Sequence, residues 1–177
     1  VHSLRADFDA IVVGGNTLRN DNPLLTTRGQ KFQEPLRVVF TKTLNLPKER
    51  ILWNCEKANT LIVYDGSSAN EKYLCELPKC VEIAKISSDD PKLLSRLLAE
   101  RGLNKILWEC GPRLATSAFQ SGCIQETVTF IAPKILGGIS SMTPFADFDF
   151  EDMNEVKTLK RSSTKFLNDD FYIRCSL

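Results

Sequence analysis

Two segments of this chain share one pattern, and together they limit the fold more than anything else in it. Residues 9–28 (DAIVVGGNTLRNDNPLLTTR) and 106–115 (ILWECGPRLA) each begin as a short apolar strand, stop at glycine and turn into a helix. Each places polar side chains at that turn. The first turn of a helix leaves N–H groups unpaired at the positive end of its dipole, a setting that suits phosphate. Two such turns point to a phosphorylated ligand, with a phosphorylated cofactor beside it.

Between and beyond them, strand and helix signals alternate. Strands are expected at Ala10–Gly14, Leu36–Thr41, Leu61–Asp65, Val81–Ile86, Lys105–Glu109 and Glu126–Ala132. A helix opens at Gly15-Asn16-Thr17 and ends near Asn22-Pro23, and a short one is expected over Ala69–Leu77. Pro91–Gly102 carries the clearest helix signals: Asp90 can cap, Pro91 suits the first turn, and Leu93, Leu94, Leu97 and Leu98 share a face. Pro112–Ser121 should turn Leu114, Ala115, Ala118 and Phe119 inward. Val156–Arg161 and Phe171–Leu177 read as strands around Asn168-Asp169-Asp170, a closing hairpin. The expected class is an α/β sandwich, a mostly parallel sheet with an antiparallel C-terminal edge. Lys42–Lys57 is the least regular stretch, but nothing there resembles a linker between domains.

Composition removes several functions. With 23 basic and 22 acidic residues in 177, the net charge is +1. There is no basic stripe to favour nucleic acid, and apolar runs are too short for a membrane span. His2 is the only histidine. G-x-S-x-G is absent, so a serine or cysteine triad is not supported. Imidazoles and clustered carboxylates for a metal are lacking too, as are Walker A and G-x-G-x-x-G. Six cysteines without CxxC spacing (Cys55, Cys75, Cys80, Cys110, Cys123, Cys175) are expected to be small apolar residues in a reducing compartment.

The two turns hold the candidate residues. Thr17 stands in a first helical turn, where its hydroxyl can bind phosphate or cap. Asp21 lies four residues on, on the same face, as a ligand group or merely a helix-end carboxylate. Arg28 follows within loop reach, to bind the ligand or to stay a solvated charge. Glu109 ends an apolar strand, where a carboxylate is costly unless paired or facing a ligand; a tight joint with Glu109 exposed is the alternative. Gly111 admits close approach to the backbone and Pro112 presets the helix. Gly137-Gly138 is a weaker signal, since paired glycines commonly just make a turn.

Residues 2–28 resemble the reductase domain of the riboflavin-biosynthesis deaminase/reductase family: a Leu-Arg pair, Asp-Ala-Ile, a Gly-x-x-Thr turn and Asp-Asn-Pro. Residues 106–115 resemble its Glu-x-Gly-Pro-x-Leu-Ala motif, and residues 131–138 (IAPKILGG) its Ile-Ala-Pro-Lys signature. Trp-Glu-Cys-Gly is closer to the plant and cyanobacterial branch than to the common Glu-Gly-Gly-Pro form.

This resemblance implies a dihydrofolate-reductase-like fold. It also implies NADPH-dependent reduction of 5-amino-6-(5-phospho-D-ribosylamino)uracil to the ribitylamino compound. Arg5, Leu25, Arg28 and Glu109 match substrate positions, with the arginines suited to the ribose phosphate. Thr17 and Asp21 match cofactor positions, and Asp21, near the reacting carbon, is the candidate catalytic residue. Gly111, Pro112, Arg113, Leu114, Ala115, Thr116 and Ser117 match the turn that holds the NADPH phosphates. Lys42 falls where an adenosine-side residue is found and could meet the 2′-phosphate. A homodimer is implied, in the chloroplast stroma if the source is a plant and otherwise in the cytoplasm.

The family domain begins with a strand upstream of the Leu-Arg pair. Residues 1–177 are therefore expected to be a single reductase domain without its first strand. The zinc deaminase half, with His-x-Glu and Pro-Cys-x-x-Cys, is not among them, although a fused or separate deaminase could be a partner. Two other readings remain: a pteridine or dihydrofolate-type NADPH reductase, which would not need Arg28, and a degenerate, non-catalytic module kept for dimerisation or scaffolding.

Overall fold

The computed structural model describes residues 1–135, 137 and 143–177. Five strands form one wholly parallel sheet: β1 (Ala10–Gly14), β2 (Leu36–Thr41), β3 (Thr60–Asp65), β4 (Glu82–Ile86) and β5 (Ile106–Trp108), in the order β4-β3-β2-β1-β5. Parallel strands need cover on both faces, and the alternation of side chains supplies two cores. Ile11, Val13, Val39 and Ile62 face one way, against Leu18 of helix α2 (Gly15–Asp21) and Leu44, Leu52 and Trp53 of the loops. Val12, Val38, Leu61 and Val63 face the other way, against Leu94 and Leu98 of helix α3 (Pro91–Glu100). Asp90 caps α3 by accepting from the Lys92 N–H, with Pro91 in the first turn, as its sequence predicts.

Strand β5 is anchored beside β1 by Asp9. Its carboxylate accepts from the N–H groups of Asn104 (3.0 Å) and Lys105 (2.9 Å), which sets Val12 opposite Trp108. Helix α4 (Pro112–Gln120) follows β5 directly, and the short helix α1 (His2–Arg5) precedes β1.

A second sheet, of order β6-β8-β7, is antiparallel: β6 (Glu126–Ile131), β7 (Lys160–Leu167) and β8 (Asp170–Ser176). The closing hairpin is there, but its first strand is Lys160–Leu167 rather than Val156–Arg161. Every residue of β7 is exposed, so no alternating apolar pattern marked it. Asn168, at φ 57°, makes the turn.

Other departures are local. Ala69–Leu77 is not an α-helix; a 3-10 segment, Glu71–Glu76, occupies it without a buried residue. Its apolar residues Tyr73 and Leu74 are only half-buried against the first core, and a stretch this short is marginal as a regular helix. In α4, Ala118 is buried, but so is Thr116, whereas Leu114, Ala115 and Phe119 are half-buried. The reason is a partner outside the parallel sheet: Phe119 packs edge-on against Phe145 and Phe148, both at 5.5 Å, and Thr116 accepts from the Ala146 N–H at 2.9 Å. Among the cysteines, Cys55 and Cys80 form a disulfide with Cα atoms 6.2 Å apart, contrary to the expectation that all six are free thiols. They precede β3 and β4, which lie side by side in parallel, so residues 25 apart in sequence are neighbours in space. Leu136 and Gly138 of the IAPKILGG segment lie outside the described residues.

Candidate active site

Because β1 and β5 are adjacent and parallel, their two glycine turns meet at the same sheet edge. The Glu109 N–H extends the ladder to the Val12 carbonyl (3.0 Å) before the chain turns into α4. A Cβ added to Gly14 would touch Leu114 of α4 at 3.7 Å, and one at Gly111 would face Thr17 of α2 at 3.9 Å. Gly15 is required for packing. A Cβ there would lie 2.8 Å from the Thr41 hydroxyl, which is itself tied to the Thr43 carbonyl at 2.6 Å.

Between the turns lies a cavity of about 480 Å³. Thr17 and Asp21 line it from α2, Pro23 and Leu25 from the loop after α2, and Glu109 and Gly111 from the second turn. Val13, Trp108 and Cys110 complete the lining. The end of α2, and with it Asp21, is held from behind by Arg50. That guanidinium donates to the carbonyls of Leu18 and Arg19, both at 3.0 Å, filling the acceptors a helix end leaves open.

Glu109 is not a loose surface carboxylate. Arg5 grips it with two hydrogen bonds, Nε to Oε2 at 2.9 Å and Nη2 to Oε1 at 2.5 Å. The Arg5 side chain is only 10% exposed, against 34% for Glu109, so the pair is fixed on the arginine side and open on the carboxylate side. A third Arg5 donor, Nη1, goes to the Thr26 carbonyl at 2.9 Å. With those donors engaged, Arg5 holds Glu109 and the loop after α2 in place.

The structure thus brings Thr17, Asp21, Leu25, Glu109 and Gly111 to one cavity, with Arg5 behind them. Leu25 is buried at φ 55°, and Arg28, also at φ 55°, is exposed on the loop beyond. Lys42 stands farther along the sheet edge, after β2, paired with Asp89 at 3.4 Å. Of the α4 residues, Pro112 opens the helix, Arg113 projects to solvent, Leu114, Ala115 and Ser117 are half-buried, and the Thr116 hydroxyl is taken by Ala146. Sequence reasoning missed Val13, Pro23, Trp108 and Cys110 as lining residues. For Trp108 and Cys110 the signal was adjacency, since both flank Glu109, and Pro23 lies between the candidates Asp21 and Leu25. Burial pushes the Cys110 thiol up to about 12, so near neutrality it is a neutral, weakly polar wall and not a nucleophile.

Residues 1–170 match the RibD C-terminal domain family. The chain belongs to that family. It is 38% identical over 160 residues to the riboflavin biosynthesis protein RibD of Synechocystis sp., covering 90% of this chain and 43% of that protein. To the chloroplastic riboflavin biosynthesis protein PYRR of Arabidopsis thaliana it is 36% identical over 159 residues, covering 90% of this chain and 26% of the relative. The chain thus spans less than half the length of these curated relatives. Among solved structures, the Thermotoga maritima deaminase/5-amino-6-(5-phosphoribosylamino)uracil reductase superposes over 99% of this chain and 47% of its own, with a TM-score of 0.80 at 22% identity. The fold of this RibD C-terminal domain is accordingly the expected dihydrofolate-reductase-like one.

Proposed function

We propose that this RibD C-terminal domain reduces 5-amino-6-(5-phospho-D-ribosylamino)uracil to its ribitylamino product with NADPH. The observation that carries the reading is the meeting of the two glycine turns over one cavity, with Thr17 and Asp21 on one side and a fixed, outward-open Glu109 on the other. The second turn suits a dinucleotide. Around Gly111 a Cβ would meet nothing nearer than Thr17, so phosphate oxygens can approach the backbone at the start of α4. Thr17 and residues 111–117 would hold that cofactor, and when bound it supplies the hydride.

The chain's own residues have the remaining work. Arg28 binds the ribose phosphate, and Glu109, steadied by Arg5, accepts hydrogen bonds from the pyrimidine N–H groups. Leu25 and Trp108 give the ring an apolar wall. Asp21 gives a proton to the ribose ring oxygen as its bond to the anomeric carbon breaks, while the exocyclic nitrogen lone pair forms a C=N bond. Hydride addition at that carbon returns the electron pair to nitrogen, so one proton and one hydride are consumed.

Around this site we infer a homodimer closed through the antiparallel sheet, residues 1–177 acting as the reductase unit, and a deaminase domain fused to it or acting beside it. Two relatives are described as chloroplastic, in Arabidopsis thaliana and Zea mays. A stromal location follows for this protein if its source is a plant.

The test is NADPH oxidation by the purified domain with the phosphoribosylamino substrate. Wild type should turn over, and Asp21→Asn should lose about 10²-fold in kcat with NADPH binding retained. Single-turnover hydride transfer in Asp21→Asn within a few-fold of wild type would return the proton to water. NADPH binding without any turnover would favour the non-catalytic module.

A further inference from the structure

The loop after α2 has an unusual backbone. Asn22, Leu25 and Arg28 all sit in the left-handed region, at φ 45°, 55° and 55°. Non-glycine residues keep such angles only where neighbours fix them. Three side chains do so here. Arg5 donates to the Thr26 carbonyl at 2.9 Å, and Arg37 to the Leu24 carbonyl at 3.4 Å. Glu34 takes hold of Thr27 twice, accepting from its N–H at 2.6 Å and from its hydroxyl at 2.9 Å.

Thr27 is fully buried, so its N–H needs a partner inside the protein. Glu34 gives both carboxylate oxygens to this one residue and thereby fixes its backbone and its side-chain rotamer together. Pro35 follows Glu34 and restricts it to extended backbone, which presets the reach of the carboxylate. Arg37, three residues on, is 0% exposed and also grips the carbonyls of Asn54 (3.0 Å) and Ala58 (2.5 Å). The entry to β2 therefore holds the loop at two points from below, while Pro23 and Leu25 face the cavity above.

We propose that Glu34 is a positioning residue for the substrate phosphate: by locking Thr27 it sets the direction in which Arg28 leaves the loop. The inference rests on the reading of Arg28 as the phosphate-binding residue. Glu34 touches no substrate. Its effect passes through one peptide unit, and a misdirected guanidinium costs binding without changing the chemistry.

The experiment compares Glu34→Ala, Glu34→Gln, Thr27→Val and Arg28→Ala in the full chain, by steady-state kinetics and by calorimetric titration with ribose 5-phosphate. Glu34→Ala should raise KM for the phosphorylated substrate about tenfold and weaken ribose 5-phosphate by a like factor, with kcat and the NADPH KM within about twofold. Glu34→Gln can still accept from the Thr27 N–H, and its amide can donate to the hydroxyl, so it should recover to within about threefold of wild type. Thr27→Val keeps the shape and removes one grip, for a rise of about threefold, and it reads the effect even if Glu34→Ala folds poorly. A Glu34→Ala protein of lower melting temperature and kcat but wild-type KM and ribose 5-phosphate affinity would overturn the proposal. So would Glu34→Gln behaving like Glu34→Ala, because charge and not geometry would then be at work. If Arg28→Ala weakens ribose 5-phosphate and Glu34→Ala does not, only the role of Glu34 falls; if Arg28→Ala leaves that affinity intact, the reading of Arg28 falls and takes this one with it.

Discussion

Strand β3 is paired on both sides and β7 along one side, with an irregularity between Arg161 and Ser163, yet every residue of β3 is buried and every residue of β7 is exposed. Strand pairing and burial are thus separate achievements in this molecule. The parallel sheet brings its own cover, α2 and loops on one face and α3 on the other, and the site sits on the edge of that rigid body. On one face of the antiparallel sheet Ile131, Phe171 and Phe166 lie in register and exposed, with the rings of Phe166 and Phe171 against each other at 4.3 Å. An apolar face of that kind is a surface for association, which is why the homodimer is drawn through it.

The largest expected effect measures this contrast directly. Leu98→Ala removes a fully buried side chain from the cover of the parallel sheet, and such changes cost about 2–5 kcal/mol. Phe166, 67% exposed, should cost less than about 1 kcal/mol as Phe166→Ala, measured by urea unfolding at a concentration where the chain is monomeric. Equal losses would mean that the two sheets are one cooperative core and that the contrast is only apparent.

The same contrast explains what could be read in advance. Runs such as Ala10–Gly14 and Leu61–Asp65 announced themselves because burial on both faces demands continuous apolar residues, and Leu94 and Leu98 marked the inner face of α3. β7 (KRSSTKFL) is held by its neighbour's backbone, and a ladder leaves no trace in side-chain pattern. In the site, local turns were legible: Thr17, Asp21 and Gly111 stand where glycine and helix start foretold. Tertiary pairings were not. Nothing near Arg5 or Glu109 says that they bind each other across 104 residues, nor that Glu34 holds Thr27. The Arg5–Glu109 pair exists only once the sheet order places β5 beside β1, and the Glu34–Thr27 grip only once the loop ahead of β2 folds back on itself.

A second, smaller effect tests what covers the antiparallel sheet. The double variant Phe166→Asp/Phe171→Asp should convert a dimer into a monomer by light scattering, because charges buried in an interface lack partners. Its monomer should unfold within about 1 kcal/mol of wild type, as expected of surface changes. A wild-type chain that is monomeric at tens of micromolar would break the assignment of this face to a second copy, and the apolar strip would then need another partner.

The smallest effect concerns Lys42, whose surroundings limit what it can contribute. Lys42 and Asp89 form an exposed pair, with side chains 59% and 50% accessible, and such pairs are worth about 0–1 kcal/mol. Asp65 lies near as well. Its carboxyl is held below the ordinary range chiefly by the Ser67 hydroxyl and N–H, with a lesser contribution from the Lys42 charge. A 2′-phosphate arriving here would meet one cation already facing two carboxylates, so the cation's preference for it is blunted. We therefore expect Lys42→Ala to narrow the preference for NADPH over NADH by only about threefold, with NADH affinity and stability nearly unchanged. Asp89→Asn should move the other way, freeing Lys42 and sharpening the preference for NADPH by a similar factor. Both shifts should shrink as salt rises, since the groups are exposed. Equal losses of NADH and NADPH affinity in Lys42→Ala would assign the residue to the sheet edge and place the 2′-phosphate elsewhere.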